Sequence, residues 1–143
     1  MVRVVIDTSV LIAALRSGGG ASAEVLRLAL RYELTTLMDY KLAAEYREVA
    51  LRTEQLRASG RSASDTRVLL DALEAVAEPV YVAFRHRPLS TDADDDRVLD
   101  IAINGGARAV VTMNTKHFRA AAKPFGVDTI TPAQLLTRLV ERR

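Results

Sequence analysis

Five short runs of apolar and β-branched residues, at positions 2–6, 34–38, 80–83, 109–112 and 128–130, alternate with stretches whose apolar residues recur at helical spacing. That rhythm predicts an α/β architecture, a central parallel sheet of about five strands flanked by helices. Val2-Arg3-Val4-Val5-Ile6 is almost wholly β-branched or apolar, the pattern of a strand covered on both faces. The chain has 143 residues, about one domain, and can bury a sizeable core. No repeat, low-complexity tract or linker divides it, and Gly18-Gly19-Gly20 is a loop tip too short to join domains. Residues 63–77, with Val68, Leu69, Ala72, Leu73 and Val76, predict an amphipathic helix that serves as core or as a dimer face. The last helix has Thr131 as its cap and Pro132 in its first turn, and runs into the basic tail Glu141-Arg142-Arg143.

Acidic residues stand at three points of this pattern. Asp7 follows the first strand, so it lies at a strand's carboxyl end, where ligands bind in open α/β sheets. It either caps the helix beginning near Ser9, sharing that work with Thr8 or Ser9, or serves as a ligand. Glu45 falls within a predicted helix over 39–52, three residues after Leu42 and four before Val49, in a slot beside the apolar stripe Leu42, Tyr46 and Val49. A carboxylate there must find a cation, bind a metal, or lie at the stripe's edge and reach out to Arg52 or another arginine.

Asp92-Ala93-Asp94-Asp95-Asp96 precedes a helical pattern of Val98, Leu99, Ala102 and Ile103. One or two acids suit a helix N-terminus, but successive ones repel unless solvated or bridged by a cation. Asp96 shares a face with Leu99 and Ile103 and is the one expected to point inward. Asp94 and Asp95 are expected to be solvated. A fourth polar group ends the run Val110-Val111-Thr112-Met113-Asn114, whose Thr112 and Asn114 can face Asp7 or simply shape a turn. His117 and Phe118 are expected to anchor that loop, and His86 to be an exposed or structural histidine.

Composition restricts the cation. With no cysteine and only two histidines, thiolate, zinc-finger and multi-histidine sites are excluded, and an all-oxygen site fits Mg²⁺ or Mn²⁺. The absence of cysteine fits a reducing compartment. No signal peptide or membrane span is visible, so a cytoplasmic protein without membrane association is expected. Residues 92–100 hold five acids and one arginine, a local charge of −4 that leaves +6 on the rest of a chain whose net charge is +2. Basic surface around an acidic focus suits a polyanion cut beside a divalent ion. Seventeen of the twenty basic residues are arginine, which forks onto phosphate oxygens, although much of this charge is ordinary solvated surface.

Val5-Ile6-Asp7-Thr8-Ser9-Val10-Leu11-Ile12, then Glu45, then Asp94-Asp95-Asp96-Arg97-Val98-Leu99, then Gly106 and Val111-Thr112-Met113-Asn114 resemble, in order and spacing, the PIN (PilT N-terminus) domain family. The resemblance covers nearly the whole chain as a single domain over 1–143 and is nearest to toxin components of toxin-antitoxin systems related to the VapC ribonucleases. It implies a three-layer PIN-like fold and a Mg²⁺- or Mn²⁺-dependent endoribonuclease. Asp7, Glu45 and Asp96 then take the metal-binding acidic positions and Asn114 the fourth, where aspartate is common. Thr8 or Ser9 supplies a neighbouring hydroxyl, and Asp94 or Asp95 orients water. Arg16, Arg47 and Lys116 are candidate phosphate contacts. The implied partners are an RNA substrate, a cognate antitoxin protein and a second copy in a homodimer. Two alternatives compete: a non-catalytic PIN module that binds RNA or protein, and a phosphoryl-transfer protein on a related sheet. The second lacks the Asp-x-Asp after the first strand that a dehalogenase-like fold needs.

Overall fold

The computed structural model describes residues 1–84 and 93–141, with the side chains of 93–95 excepted. His86 and Asp92 therefore lie outside the described residues, as do the side chains of Asp94 and Asp95.

Among the described residues the chain forms β1 (Arg3–Ile6), α1 (Thr8–Arg16), α2 (Ala21–Leu30), β2 (Thr35–Met38), α3 (Tyr40–Ala50), α4 (Thr53–Ser59), α5 (Ala63–Val76) and β3 (Glu78–Pro79). After these come α6 (Ala93–Gly105), β4 (Ala109–Val111), α7 (Thr115–Ala122), a 3-10 turn (Lys123–Phe125), β5 (Asp128–Ile130) and α8 (Pro132–Glu141). The sheet has the order β3-β2-β1-β4-β5, and every neighbouring pair is parallel. Val4 and Val5 of the central strand are fully buried, as a sheet covered on both faces requires. The helices pack as two groups, α1 to α5 with α8, and α6 with α7; this is the expected three-layer α/β arrangement.

Strand order decides where chemistry can sit. The chain leaves β1 and builds outward through β2 to β3, then returns to the other side of β1 for β4 and β5. The carboxyl ends of β1 and β4 therefore form a topological switch point, with Asp7 at one end and Thr112 at the other. Val4, Val5 and Ile6 are in register with Ala109, Val110 and Val111, and the Asp7 N–H continues the ladder to the Val111 carbonyl at 2.9 Å.

Helix ends follow local chemistry. Asp39 caps α3 by accepting from the Leu42 N–H at 2.8 Å, and Ser62 caps α5 by accepting from the Asp65 N–H at 3.0 Å. Thr131 and Gln134 form a reciprocal capping box at the start of α8, with bonds of 2.9 and 3.2 Å. Gly105 lets the end of α6 press on the sheet: a Cβ there would stand 2.7 Å from Leu37 Cδ1 and 2.9 Å from Val80 Cγ2. Gly106 then takes a left-handed turn at φ +65°.

Three expectations need correction. The third strand is Glu78–Pro79 rather than residues 80–83. Pro79 offers no N–H to the ladder, so the last sheet bond comes from the Val80 N–H to the Met38 carbonyl at 3.0 Å. Beyond it the Ala83 and Phe84 N–H groups turn to the side chain of Asn104 at 3.1 and 2.9 Å. The buried face of α5 is Thr66, Leu70 and Leu73, with Val68 exposed, because the helix docks on both α2 and α3 and the Thr66 hydroxyl is satisfied by the Ser62 carbonyl at 2.9 Å. On α3 the inward stripe is Leu42, Tyr46 and Ala50 rather than Val49.

Candidate functional site

Asp7 occupies the cap position of α1, yet its side chain caps no backbone N–H. Two hydroxyls hold it instead. Ser9 Oγ donates to Asp7 Oδ2 at 2.6 Å, and Thr112 Oγ1 donates to the same oxygen at 2.8 Å. Thr112 is fully buried and arrives from β4, across the switch point. Its hydroxyl also accepts from the Asn114 N–H at 3.0 Å, while Ser9 Oγ accepts from the Met113 N–H at 3.1 Å. The β4–α7 turn is thus laced to the β1–α1 turn around one carboxylate. Asp7 is thus a carboxylate fixed in orientation through one oxygen.

Glu45 comes from α3 with its side chain only 14 % exposed. Thr8 Oγ1 donates to Glu45 Oε2, so the residue after Asp7 reaches the second acid directly. Arg97 Nη1 lies 3.3 Å from Glu45 Oε1. Arg97 is on α6 beside Asp96, so this ion pair ties Glu45 to the helix carrying the third expected acid. Of the arginines expected to meet Glu45, Arg52 or another, the structure supplies Arg97, while Arg52 pairs with Glu48 at 2.8 Å.

Asp96 is buried, at 4 % exposure, on the inward side of α6. Asp100, one turn further along, is buried to 2 %. Its spacing four residues after Asp96 was the available signal, masked in sequence by the longer acidic run before it. α6 packs against β1, β2 and β4, so this face looks onto the sheet's centre.

Below the carboxylates, the Tyr46 hydroxyl donates to the Ile6 carbonyl, one residue before Asp7. Burial pushes the Tyr46 phenol well above its ordinary range, and the negative charges of Asp7, Glu45 and Asp39 push it further.

Among the described residues, no three histidine or carboxylate side chains stand together as a ready metal-binding group. The structure brings Asp7 and Glu45 into one neighbourhood through Thr8, and places Asp96 beside the arginine bound to Glu45. The donor chemistry is all oxygen and anionic, which fits a hard divalent cation. Asp7 and Glu45 are the two acids whose carboxylates the structure shows held by hydroxyls.

The outlying candidates divide. Asn114 is exposed at the start of α7, and its side chain makes no capping bond. Arg16 is held by Gln55 through bonds of 3.0 and 2.7 Å, and Arg47 by Asp71 and Glu74 at 2.7 and 2.8 Å. Lys116 is exposed beside Asn114. Phe118 is fully buried and anchors α7, whereas His117 beside it is exposed. Cavities of about 330 and 300 Å³ open at the opposite, amino edge of the sheet around Val2 and Arg108, away from the carboxylates.

No helix among the described residues is long and apolar enough to cross a membrane. The sequence model for the PIN domain matches residues 3–116, a span that includes Asp7, Glu45, Asp96 and Asn114. No curated protein matches the chain.

Proposed function

This chain belongs to the PIN domain family, and on that premise we propose that it is a Mg²⁺- or Mn²⁺-dependent endoribonuclease acting at the carboxyl edge of its sheet. PIN domains are generally metal-dependent nucleases, so a hydrolase of nucleic acid phosphodiesters follows at the level of the class. The observation that best supports the assignment is the pair Asp7 and Glu45, from separate elements, each oriented by a neighbouring hydroxyl.

Asp7 and Glu45 would hold the ion, with Asp96 completing the set from α6 and Asn114 contributing a neutral oxygen. The chemistry a divalent ion would supply there is a bound water of lowered pKa and polarisation of the scissile phosphate. The protein's own groups do the positioning. Ser9 and Thr112 fix the Asp7 carboxylate, Thr8 fixes Glu45, and Tyr46 holds the backbone just before Asp7. Arg97 balances the charge of Glu45 through the ion pair between them. Of the three candidate phosphate contacts, Lys116 is exposed at the start of α7. Arg16 and Arg47 would have to leave their present partners to meet a phosphate.

The same proposal extends to the biological setting: a cytoplasmic toxin of a toxin-antitoxin pair, homodimeric, and silenced by its cognate antitoxin. A non-catalytic module that binds RNA or a protein partner is the second candidate, favoured by the Arg97 side chain on Glu45 and by neutral Asn114. The deciding experiment incubates purified protein, Asp7→Asn and Asp96→Asn with a mixed RNA pool, in Mn²⁺, in Mg²⁺ and in chelator. Metal-dependent cleavage lost in both variants is expected. Cleavage unchanged in the variants would remove the assignment of the site, and no cleavage by the wild type in either metal would favour the non-catalytic module.

A further inference from the structure

The two most exposed large hydrophobic side chains among the described residues are both tyrosines, Tyr81 at 87 % and Tyr40 at 80 %. A single exposed ring is ordinary, but these two follow neighbouring strands, Tyr40 as the first residue of α3 after β2 and Tyr81 in the segment that leaves β3. Met38 of β2 is in register with Pro79 of β3; Tyr40 lies two residues beyond the first and Tyr81 two beyond the second. Both therefore emerge at the carboxyl edge of the sheet, the edge that carries Asp7.

Strand order turns this edge into a line. The strands that end before Tyr81, Tyr40 and Asp7 stand side by side as β3, β2 and β1. With neighbouring strands ~4.8 Å apart, the ends of β2 and β3 stand about 5 and about 10 Å from that of β1. Tyr40 and Pro79 also line one open cavity of about 420 Å³, together with Arg47 and Glu74.

The backbone bearing Tyr81 is tethered on both sides. On one side the Val80 N–H bonds the Met38 carbonyl at 3.0 Å. On the other, Asn104 accepts from the Ala83 and Phe84 N–H groups and donates to the Phe84 carbonyl at 2.7 Å. Asn104 further donates to the Asp100 carbonyl at 2.7 Å, so the tether is built onto the helix that carries Asp96. An aromatic ring left in water on a segment held this firmly is presented in advance to a flat partner.

We propose that Tyr40 and Tyr81 form a base-stacking platform for single-stranded RNA, which crosses the ends of β3 and β2 to reach Asp7 and Glu45. The identity of the ligand rests on the ribonuclease assignment above. Nucleobases offer a π-face to each ring whatever their sequence, whereas a duplex keeps its bases stacked on one another and away from such a surface. Asn104 acts as a positioning residue for the Tyr81 segment.

The test measures binding of a labelled single-stranded RNA 12-mer, and of the same sequence as a duplex, in chelator so that no cleavage intervenes. The proteins are the wild type, Tyr40→Leu/Tyr81→Leu, and Tyr40→Phe/Tyr81→Phe. Both positions are exposed, so the substitutions leave the core intact. The Leu pair is expected to lose about tenfold in affinity per ring, while the Phe pair stays near the wild type and the duplex binds more weakly than the single strand. Equal binding by the Leu pair, equal binding of the duplex, or no binding of RNA by the wild type would each overturn the platform. So would a Leu pair that changes oligomeric state while keeping its RNA affinity, which would make this face a protein-docking surface. Ring-dependent binding without metal-dependent cleavage would leave the platform and remove the nuclease. Metal-dependent cleavage with no effect of the Leu pair on binding would do the reverse.

Discussion

Replacing Tyr46 by phenylalanine removes one oxygen from beneath the acidic edge and nothing else. The ring is buried on α3, and its hydroxyl donates to the Ile6 carbonyl. That carbonyl lies beyond the β1–β2 register pairs Arg3–Thr35 and Val4–Thr36. Losing the donor strands a buried carbonyl, at a cost of about 1–3 kcal/mol. For a chain of this size the melting temperature falls by about 4 °C per kcal/mol, so a drop of roughly 4–12 °C is expected. The pH dependence gives a second, independent signature. Burial first, and then the charges of Asp7, Glu45 and Asp39, raise the folded-state pKa of Tyr46 above its unfolded value of about 10. The folded protein therefore holds this proton where the unfolded chain has released it. The associated stability is fully present below pH 10 and is lost as pH rises towards the folded-state value, by up to about 1.4 kcal/mol per pH unit. Urea unfolding of wild type and Tyr46→Phe from pH 7 to pH 11 should show a gap at neutral pH that narrows above pH 10. Equal stabilities at pH 7, or a gap that widens with pH, would refute the assignment of this hydroxyl.

Two further substitutions probe the ligands themselves. Thr112→Val removes one of the two hydroxyls on Asp7 Oδ2 and the acceptor for the Asn114 N–H, and should weaken Mn²⁺ binding by roughly tenfold in calorimetric titration. Arg97→Met removes the cation on Glu45; calorimetry should show tighter Mn²⁺ binding by several-fold, and thermal melting should show a metal-free protein of lower stability that added Mn²⁺ restores.

The parts of this protein that were legible in its sequence are those written in local pattern. Buried β-branched runs announce β1 and β4, and an acid directly after β1 fixes one end of the switch point. Periodicity places Glu45 beside Leu42 and Tyr46, where the structure finds it, and Asp96 inward with Leu99. What failed depended on partners remote in sequence. Residues 80–83 have strand composition, but the ladder closes with the Val80 N–H, and Asn104, some twenty residues on, captures the N–H groups of Ala83 and Phe84. That Glu45 would meet an arginine was legible, Arg52 or another, but that it is Arg97, 52 residues on, was not, because only the fold brings α6 to that carboxylate. Val68 has the right spacing for the core, yet which side of α5 is buried was decided by α2 and α3 together. The exposed pair Tyr40 and Tyr81 was invisible for the same reason, since only strand register makes them neighbours.

Crystals grown with Mn²⁺ and measured for anomalous scattering at the manganese edge test the central claim most directly. An anomalous peak coordinated by both Asp7 and Glu45, with the Arg97 guanidinium withdrawn from Glu45, is the predicted result. A structure in which Arg97 stays on Glu45 and no peak touches Asp7 would contradict it.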